Sequence, residues 1–239
     1  MITPSTDRLS LGQAAAHLGE IMALEKQRGR HFLPLSEKAR GLLKTLGQEK
    51  TLFTCLPQIV QAVRACRNCH LSRNRTQAVP GLGPERAALF WVGEGPGFEE
   101  DQQGRPFVGP AGQLLTRMLK AIELHREEVY ITNVVKCRPS ENRTPQEDEI
   151  QACSLYLKEE IRLVRPALLV ALGKCAARTL IQSNETISQL RLKTHTFQGI
   201  PLIATYHPAF LLRNPEAKKE AWEDLKRVKR FYHETTGEK

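Results

Sequence analysis

Residues 87–97 read AALFWVGEGPG, and this stretch decides the fold class. Positions 87–92 are apolar without alternation, the pattern of a strand buried on both faces. Gly93-Glu94-Gly95-Pro96-Gly97 then makes a tight turn. A strand buried on both faces belongs to a parallel sheet covered by helices on each side. Three further runs share the pattern: VYITNV (129–134), ALLVALG (167–173) and PLIATYH (201–207). Helical patterns lie between them. AGQLLTRMLKAI (111–122) has apolar residues at helical spacing, and CAARTLI follows the third strand. Thr144-Pro145-Gln146-Glu147 reads as an N-cap, a proline at the first helical position and a glutamate at the third, opening a helix to about Arg162. Asn214-Pro215 opens a charged C-terminal helix. The expectation is an α/β protein, a three-layer α/β/α sandwich around a mostly parallel four-stranded sheet.

Upstream of this pattern the chain reads differently. Leu11, Ala15, Leu18 and Met22 recur at near-helical spacing, and Leu35, Ala39, Leu42, Leu43 and Leu46 make a second stripe. A third, through Leu56, Ile59, Val60 and Val63, leads into Cys66. Residues 1–60 are therefore read as an N-terminal helical extension, open to a protein partner, and 61–239 as the main domain. The 239 residues carry 35 Lys+Arg against 26 Asp+Glu, a net charge of +9. That surplus favours a polyanionic partner. Four arginines (64, 67, 73, 75) surround the first cysteine pair, and residues 213–230 hold seven basic residues against four acidic. No run of about 18 apolar residues exists, so no membrane span is expected. MITPSTDRLS lacks a basic region followed by an apolar run, which predicts no secretory signal and a cytoplasmic location.

In open parallel sheets, ligands bind beyond the carboxyl ends of the strands. Reading those ends gives Glu94 after the first strand, Asn133 at the end of the second, Gly173-Lys174 after the third and Tyr206-His207-Pro208 after the fourth. A carboxylate, an amide and an imidazole thus converge on one edge. The 93–97 turn is not G-x-G-x-x-G, Gly173-Lys174 is not a Walker A motif, and no G-x-S-x-G elbow is present. Nucleotide-cofactor and serine-hydrolase readings lose support accordingly. The loop 104–112, GRPFVGPAG, offers Phe107 either as a stacking platform or as a plug of the core.

Six cysteines lie at 55, 66, 69, 137, 153 and 175. Cys66-x-x-Cys69, with Cys137 and Cys153, makes a four-thiolate set suited to a [4Fe–4S] cluster or a structural zinc, and spacing does not choose between them. Cys55 and Cys175 read as small buried apolar residues.

Together these segments resemble the family 4 uracil-DNA glycosylases, the iron–sulfur branch of the uracil-DNA glycosylase superfamily. The resemblance covers about residues 60–232. It rests on GEGPGFEED (93–101), GRPFVGPAG (104–112), TNVVKCRP (132–139), NRTP (142–145), HPAFLLR (207–213) and the four cysteines, in that family's order. It implies a [4Fe–4S] cluster held by Cys66, Cys69, Cys137 and Cys153. It implies excision of uracil from single-stranded or U·G DNA by a monofunctional enzyme, which leaves an abasic site, and a monomeric protein. The extruded uracil would stack on Phe107, with its edge read by Asn133 and its C5 position guarded by Glu100. His207 would lie near uracil O2. Glu94 would position water, and Gly93 and Gly95 would line the site. Leu211 and Leu212, with Phe210, are candidates for a wedge entering the DNA stack, and Arg213 for a backbone clamp. Lys136 is read as facing phosphate. Better-known uracil glycosylases carry an aspartate where this chain has Gly95. A competing reading is a non-catalytic iron–sulfur protein that binds uracil-containing or abasic DNA.

Overall fold

The computed structural model describes residues 52–237. The apolar stripes at 11–24 and 35–46 lie outside the described residues. The chain from Leu52 onward forms one compact unit. Its first helix, α1 (Leu56–Ala65), buries Leu56, Ile59 and Val63 in the core. A short helix α2 (Leu71–Asn74) follows the Cys66–Cys69 pair.

The sheet has five strands, in the order β2-β1-β3-β5-β4. They are β1 (Leu89–Gly93), β2 (Tyr130–Asn133), β3 (Leu168–Leu172), β4 (Thr194–Phe197) and β5 (Ile200–Thr205). The four apolar runs supply β1, β2, β3 and β5, all paired in parallel. The expected four-stranded sheet gains β4, which pairs antiparallel with β5 at the edge. THTF has no apolar run because β4 is half exposed along its length, as an edge strand is.

Helices cover both faces. Alternate residues of the buried strands point to opposite sides. Phe90 and Val92 of β1 face one layer, with Leu169 and Ala171 of β3. That layer includes α1, α5 (Glu147–Val164) and α6 (Gly173–Ile181). Leu89 and Trp91 face the other with Leu168 and Val170, against α4 (Pro110–Ala121), Leu211 of α8 (Pro208–Arg213) and α9 (Lys218–Thr236). Fully burying side chains of this size is worth about 1.5–3 kcal/mol each. The α/β/α sandwich is therefore what these strands require. Two short helices complete it, α3 (Phe98–Gln103) and α7 (Ile187–Leu190). No helix among the described residues is long and apolar enough to cross a membrane.

The N-terminus of α5 departs from the expected cap. Gln146, not Thr144, is its N-cap, and the third helical residue is Glu149, whose carboxylate accepts the Gln146 N–H at 2.7 Å. Pro145 lies before the helix, and Thr144 stands outside the cap, near Glu94.

Candidate active site

The carboxyl ends of β1, β2, β3 and β5 open into one cavity of about 560 Å³. Its walls include Glu94, Gly95, Glu100, Phe107, Asn133 and His207. Residues placed together only by strand-end position thus share one space. Gly93 lies directly behind them: a Cβ there would stand 2.3 Å from Asn133 Oδ1 and 2.5 Å from Phe107 Cζ. Only glycine lets the carboxamide and the ring close onto the end of β1. A Cβ on Gly95 would meet the Val135 methyl at 2.9 Å, so any larger side chain here would crowd that wall.

Asn133 is buried, and its Oδ1 has no hydrogen-bond partner among the described residues. A buried acceptor left unpaired costs about 1–3 kcal/mol, and such groups are rare in folded proteins. The cost is recovered when a ligand supplies the missing N–H.

His207 caps α8 with its own ring, Nδ1 accepting the Ala209 N–H at 3.1 Å. The neutral ring therefore carries its proton on Nε2, a donor on the cavity wall. Burial, with the Arg213 guanidinium as a second cause, pushes the imidazole down to about 4, against a smaller opposing pull from Glu100. The ring packs 5.7 Å from that of Phe107, centroid to centroid. Gly173, at φ +86°, lets β3 pass beneath it, since a Cβ there would meet His207 Cβ at 2.8 Å.

Glu94 is half-buried. Burial raises its carboxyl above the ordinary value, and the Thr144 hydroxyl draws it partly back.

Glu100 is buried and fully engaged. One oxygen accepts the Val108 and Gly109 N–H groups, each at 2.8 Å, and the other accepts the Gly97 N–H at 3.0 Å. It clamps the loop that carries Phe107, whose own φ is +53°, a left-handed value rare for a phenylalanine. The Arg126 guanidinium holds Pro106 O of the same loop. Phe107 itself is buried against the core and also lines the cavity.

Two sequence expectations are corrected here. Leu211 is 1% exposed and packs in the core, because α8 lies against α4 in that layer; it cannot enter a DNA stack. Leu212, 40% exposed, and Phe210, 37% exposed, face outward, and Arg213 is exposed on the cavity wall. Lys136 does not face phosphate. It is buried, and its ammonium donates to Glu160 Oε2 at 2.7 Å, Asn133 O at 2.7 Å and Thr132 Oγ1 at 2.5 Å.

Sequence reasoning passed over Arg143 and Asn142, which also line the cavity. Arg143 makes a two-pronged pair with buried Glu149, at 2.6 and 2.9 Å. The NRTP segment contained both, but nothing in its composition marked them off from a helix-capping turn.

A second, smaller cavity is lined by Cys66, Cys69, Cys137 and Cys153 together. Arg75 Nη1 lies 2.9 Å from Cys137 Sγ, and the buried Lys136 N–H lies 3.3 Å from Cys153 Sγ. Burial pushes the Cys153 thiol up to about 12, with Lys136 opposing. Donors aimed at sulfur are the surroundings a thiolate ligand needs. Among the described residues no three His, Cys, Asp or Glu side chains are grouped as ligands of a single metal ion. Of the arginine collar, Arg64, Arg67 and Arg73 are exposed, while Arg75 turns inward. Cys175 is buried as expected, but Cys55 is only half-buried.

Comparison with known proteins agrees with this geometry. The family model described as Uracil DNA glycosylase superfamily matches residues 80–226. The type-4 uracil-DNA glycosylase of Archaeoglobus fulgidus is 42% identical over 181 residues, covering 72% of this chain and 91% of that protein. That of Sulfurisphaera tokodaii is 44% identical over 183 residues, covering 73% and 83%. That of Thermotoga maritima is 41% identical over 178 residues, covering 72% and 92%. With this extent of match laid over the strand-end cavity, the chain belongs to the uracil-DNA glycosylase superfamily.

Proposed function

We propose that this chain is a monofunctional uracil-DNA glycosylase that excises uracil from DNA and starts its repair. The observation that carries the reading is the unpaired Asn133 Oδ1 in a cavity walled by Phe107 and His207. Uracil extruded from the stack offers a flat ring to Phe107 and an N3–H to the unpaired oxygen. Cytosine lacks that N–H, so the same carboxamide discriminates against the normal base. Glu100 contributes mainly by clamping the Phe107 loop; any exclusion of the thymine methyl at C5 acts through the wall it forms.

Cleavage breaks the N1–C1′ bond, and its electron pair leaves with uracil. Negative charge then gathers on O2, where the Nε2–H of a neutral His207 donates. A preorganised donor in a dry site is the largest expected contribution to such a reaction. The sugar becomes cationic, and the Glu94 carboxylate stabilises it. Water adds to C1′ and its proton passes to Glu94, whose raised affinity for protons suits that role. Lys174 and Arg213 on the cavity wall neutralise phosphate. Leu212 is the side chain free to fill the gap in the stack, since the Phe210 ring already stacks on Tyr206 at 5.1 Å.

Cys66, Cys69, Cys137 and Cys153 would hold a [4Fe–4S] cluster, with Arg75 and the Lys136 N–H donating to the Sγ atoms of Cys137 and Cys153. The cluster would supply a cross-link between α1, the loop after β2, and α5, and no catalytic step needs it. Iron and acid-labile sulfide in equal amounts support this assignment, and zinc in their place overturns it.

The test of the reaction is release of uracil from single-stranded and U·G DNA by the purified full chain without added Mg²⁺. Release from both is expected. Binding to uracil-containing DNA with no release from either would instead support the non-catalytic reading.

A further inference from the structure

Next to the cavity wall stands an aromatic ring that the reaction above does not use. Phe98 opens α3 directly after the cavity-lining Gly97, yet it is 54% exposed. A single exposed phenylalanine is ordinary on a protein surface. This one is held in place. The Arg138 guanidinium lies over its ring, 5.2 Å from the centroid. Arg138 is itself fixed, its Nε donating to Asn142 Oδ1 at 2.8 Å. Asn142 and Pro139, on either side of this turn, line the cavity. Glu141 and Asn142 are both left-handed, with φ of 54° and 56°. Two consecutive non-glycine residues in that region cost energy and persist where the surroundings fix them, often at binding sites.

We infer that Phe98, with Arg138 behind it, is a second stacking platform, which receives the base of the nucleotide next to the extruded one. This rests on the glycosylase reading of the adjoining cavity. Three features select a nucleobase. An exposed ring face offers stacking to any base. The cation on the other face strengthens the ring's hold and lies where a phosphate would pass. The platform adjoins the wall that takes the extruded nucleotide, and that wall already holds Lys174 and Arg213. The neighbouring base loses a stacking partner when uracil leaves, and Phe98 replaces it. The platform would matter most on single-stranded DNA, where no complementary strand holds that neighbour.

The test uses the full chain and a short single-stranded oligonucleotide with one deoxyuridine. Two companion oligonucleotides carry an abasic analogue in place of the 5′ or the 3′ neighbour. For Phe98→Ala, KM on the intact oligonucleotide should rise about tenfold, with kcat within about twofold of wild type. On the companion lacking the stacked neighbour, wild type and variant should have the same KM. Phe98→Trp should restore the wild-type value. An unchanged KM overturns the inference, as does a rise of equal size on all three oligonucleotides, because the ring would then act through something other than a base. Binding measured by fluorescence anisotropy on the same set separates the two readings. Wild type that binds but releases no uracil defeats the glycosylase reading, while the dependence of binding on Phe98 and on the neighbouring base still decides the platform.

Discussion

Asn133 and Lys136 stand three residues apart after the same strand, and their polar groups meet opposite fates. Lys136 spends its ammonium on three oxygens, and Glu160, its ion-pair partner, also accepts the Thr132 hydroxyl at 2.9 Å and the Gly81 N–H at 3.0 Å. No oxygen of that network is left over. Asn133, equally buried, keeps Oδ1 unpaired on the cavity wall. The first arrangement is closed and fixes the end of β2. The second is open and waits for a ligand. Burial does not separate a structural polar residue from a functional one, since both are buried. The difference lies in whether the fold itself completes the hydrogen bonds.

The closed side should break hardest. Glu160→Ala leaves the Lys136 charge buried without its partner, a loss of about 3–5 kcal/mol. In a domain of this size that lowers Tm by roughly 10 °C, read by calorimetry. An unchanged Tm would show that the network is not what holds this end of β2. On the open side the effect should fall on rate. Asn133→Ala removes an acceptor that the free protein leaves idle, so Tm should stay near wild type. The kcat/KM for uracil release should drop about 10²–10³-fold. A Tm loss as large as that of Glu160→Ala, or a rate loss below tenfold, would erase the contrast between the two residues. Gly93→Ala sharpens it without touching either polar group. The new methyl must displace Asn133 Oδ1 or the Phe107 ring. A displacement on the order of 1 Å can cost about 10²-fold in rate, while overpacking costs about 1–3 kcal/mol of stability. Wild-type kcat/KM in this variant would show that the closeness of ring and amide is incidental.

The open side was the more legible in the sequence. Buried parallel strands are continuous apolar runs, so β1, β2, β3 and β5 could be read directly, and the residues after them fell on one edge by topology alone. Glu94, Asn133 and His207 needed no side-chain knowledge. The closed side did need it. That Lys136 points inward depends on Glu160, twenty-four residues on in α5, and no local pattern shows that pairing. The same holds for Glu100, which in sequence is one member of an acidic run and in the structure is a clamp on three backbone amides. Leu211 and Leu212 are adjacent and chemically identical; only the rotation of α8 sends one to the core and the other to the surface. Strand β4 escaped because an exposed edge strand has no apolar face to announce it.

His207 sits between the two sides, since one ring nitrogen is completed by the fold and the other is not. That gives the smallest effect and the most specific one. Its ordinary value is 6.5 and the folded protein lowers it to about 4. Between those values the unfolded chain binds a proton that the folded one refuses. Stability from this residue is therefore fully present above pH 6.5 and is lost as pH falls toward about 4. The rate should not follow the same curve. Through that window the folded ring stays neutral and keeps both the Ala209 N–H bond and its Nε2–H donor, so His207 contributes no fall in kcat until the pH nears its folded value. Burial raises the Glu94 carboxyl as well, so the comparison is made against His207→Gln. The variant should flatten the stability slope between pH 6.5 and about 4, because it removes the group that the fold keeps from protonating. A slope unchanged in His207→Gln would mean that the imidazole takes its proton freely when folded. In that case, below pH 6.5 the neutral donor proposed for uracil O2 would be a cation, and its Nδ1 could no longer accept from Ala209.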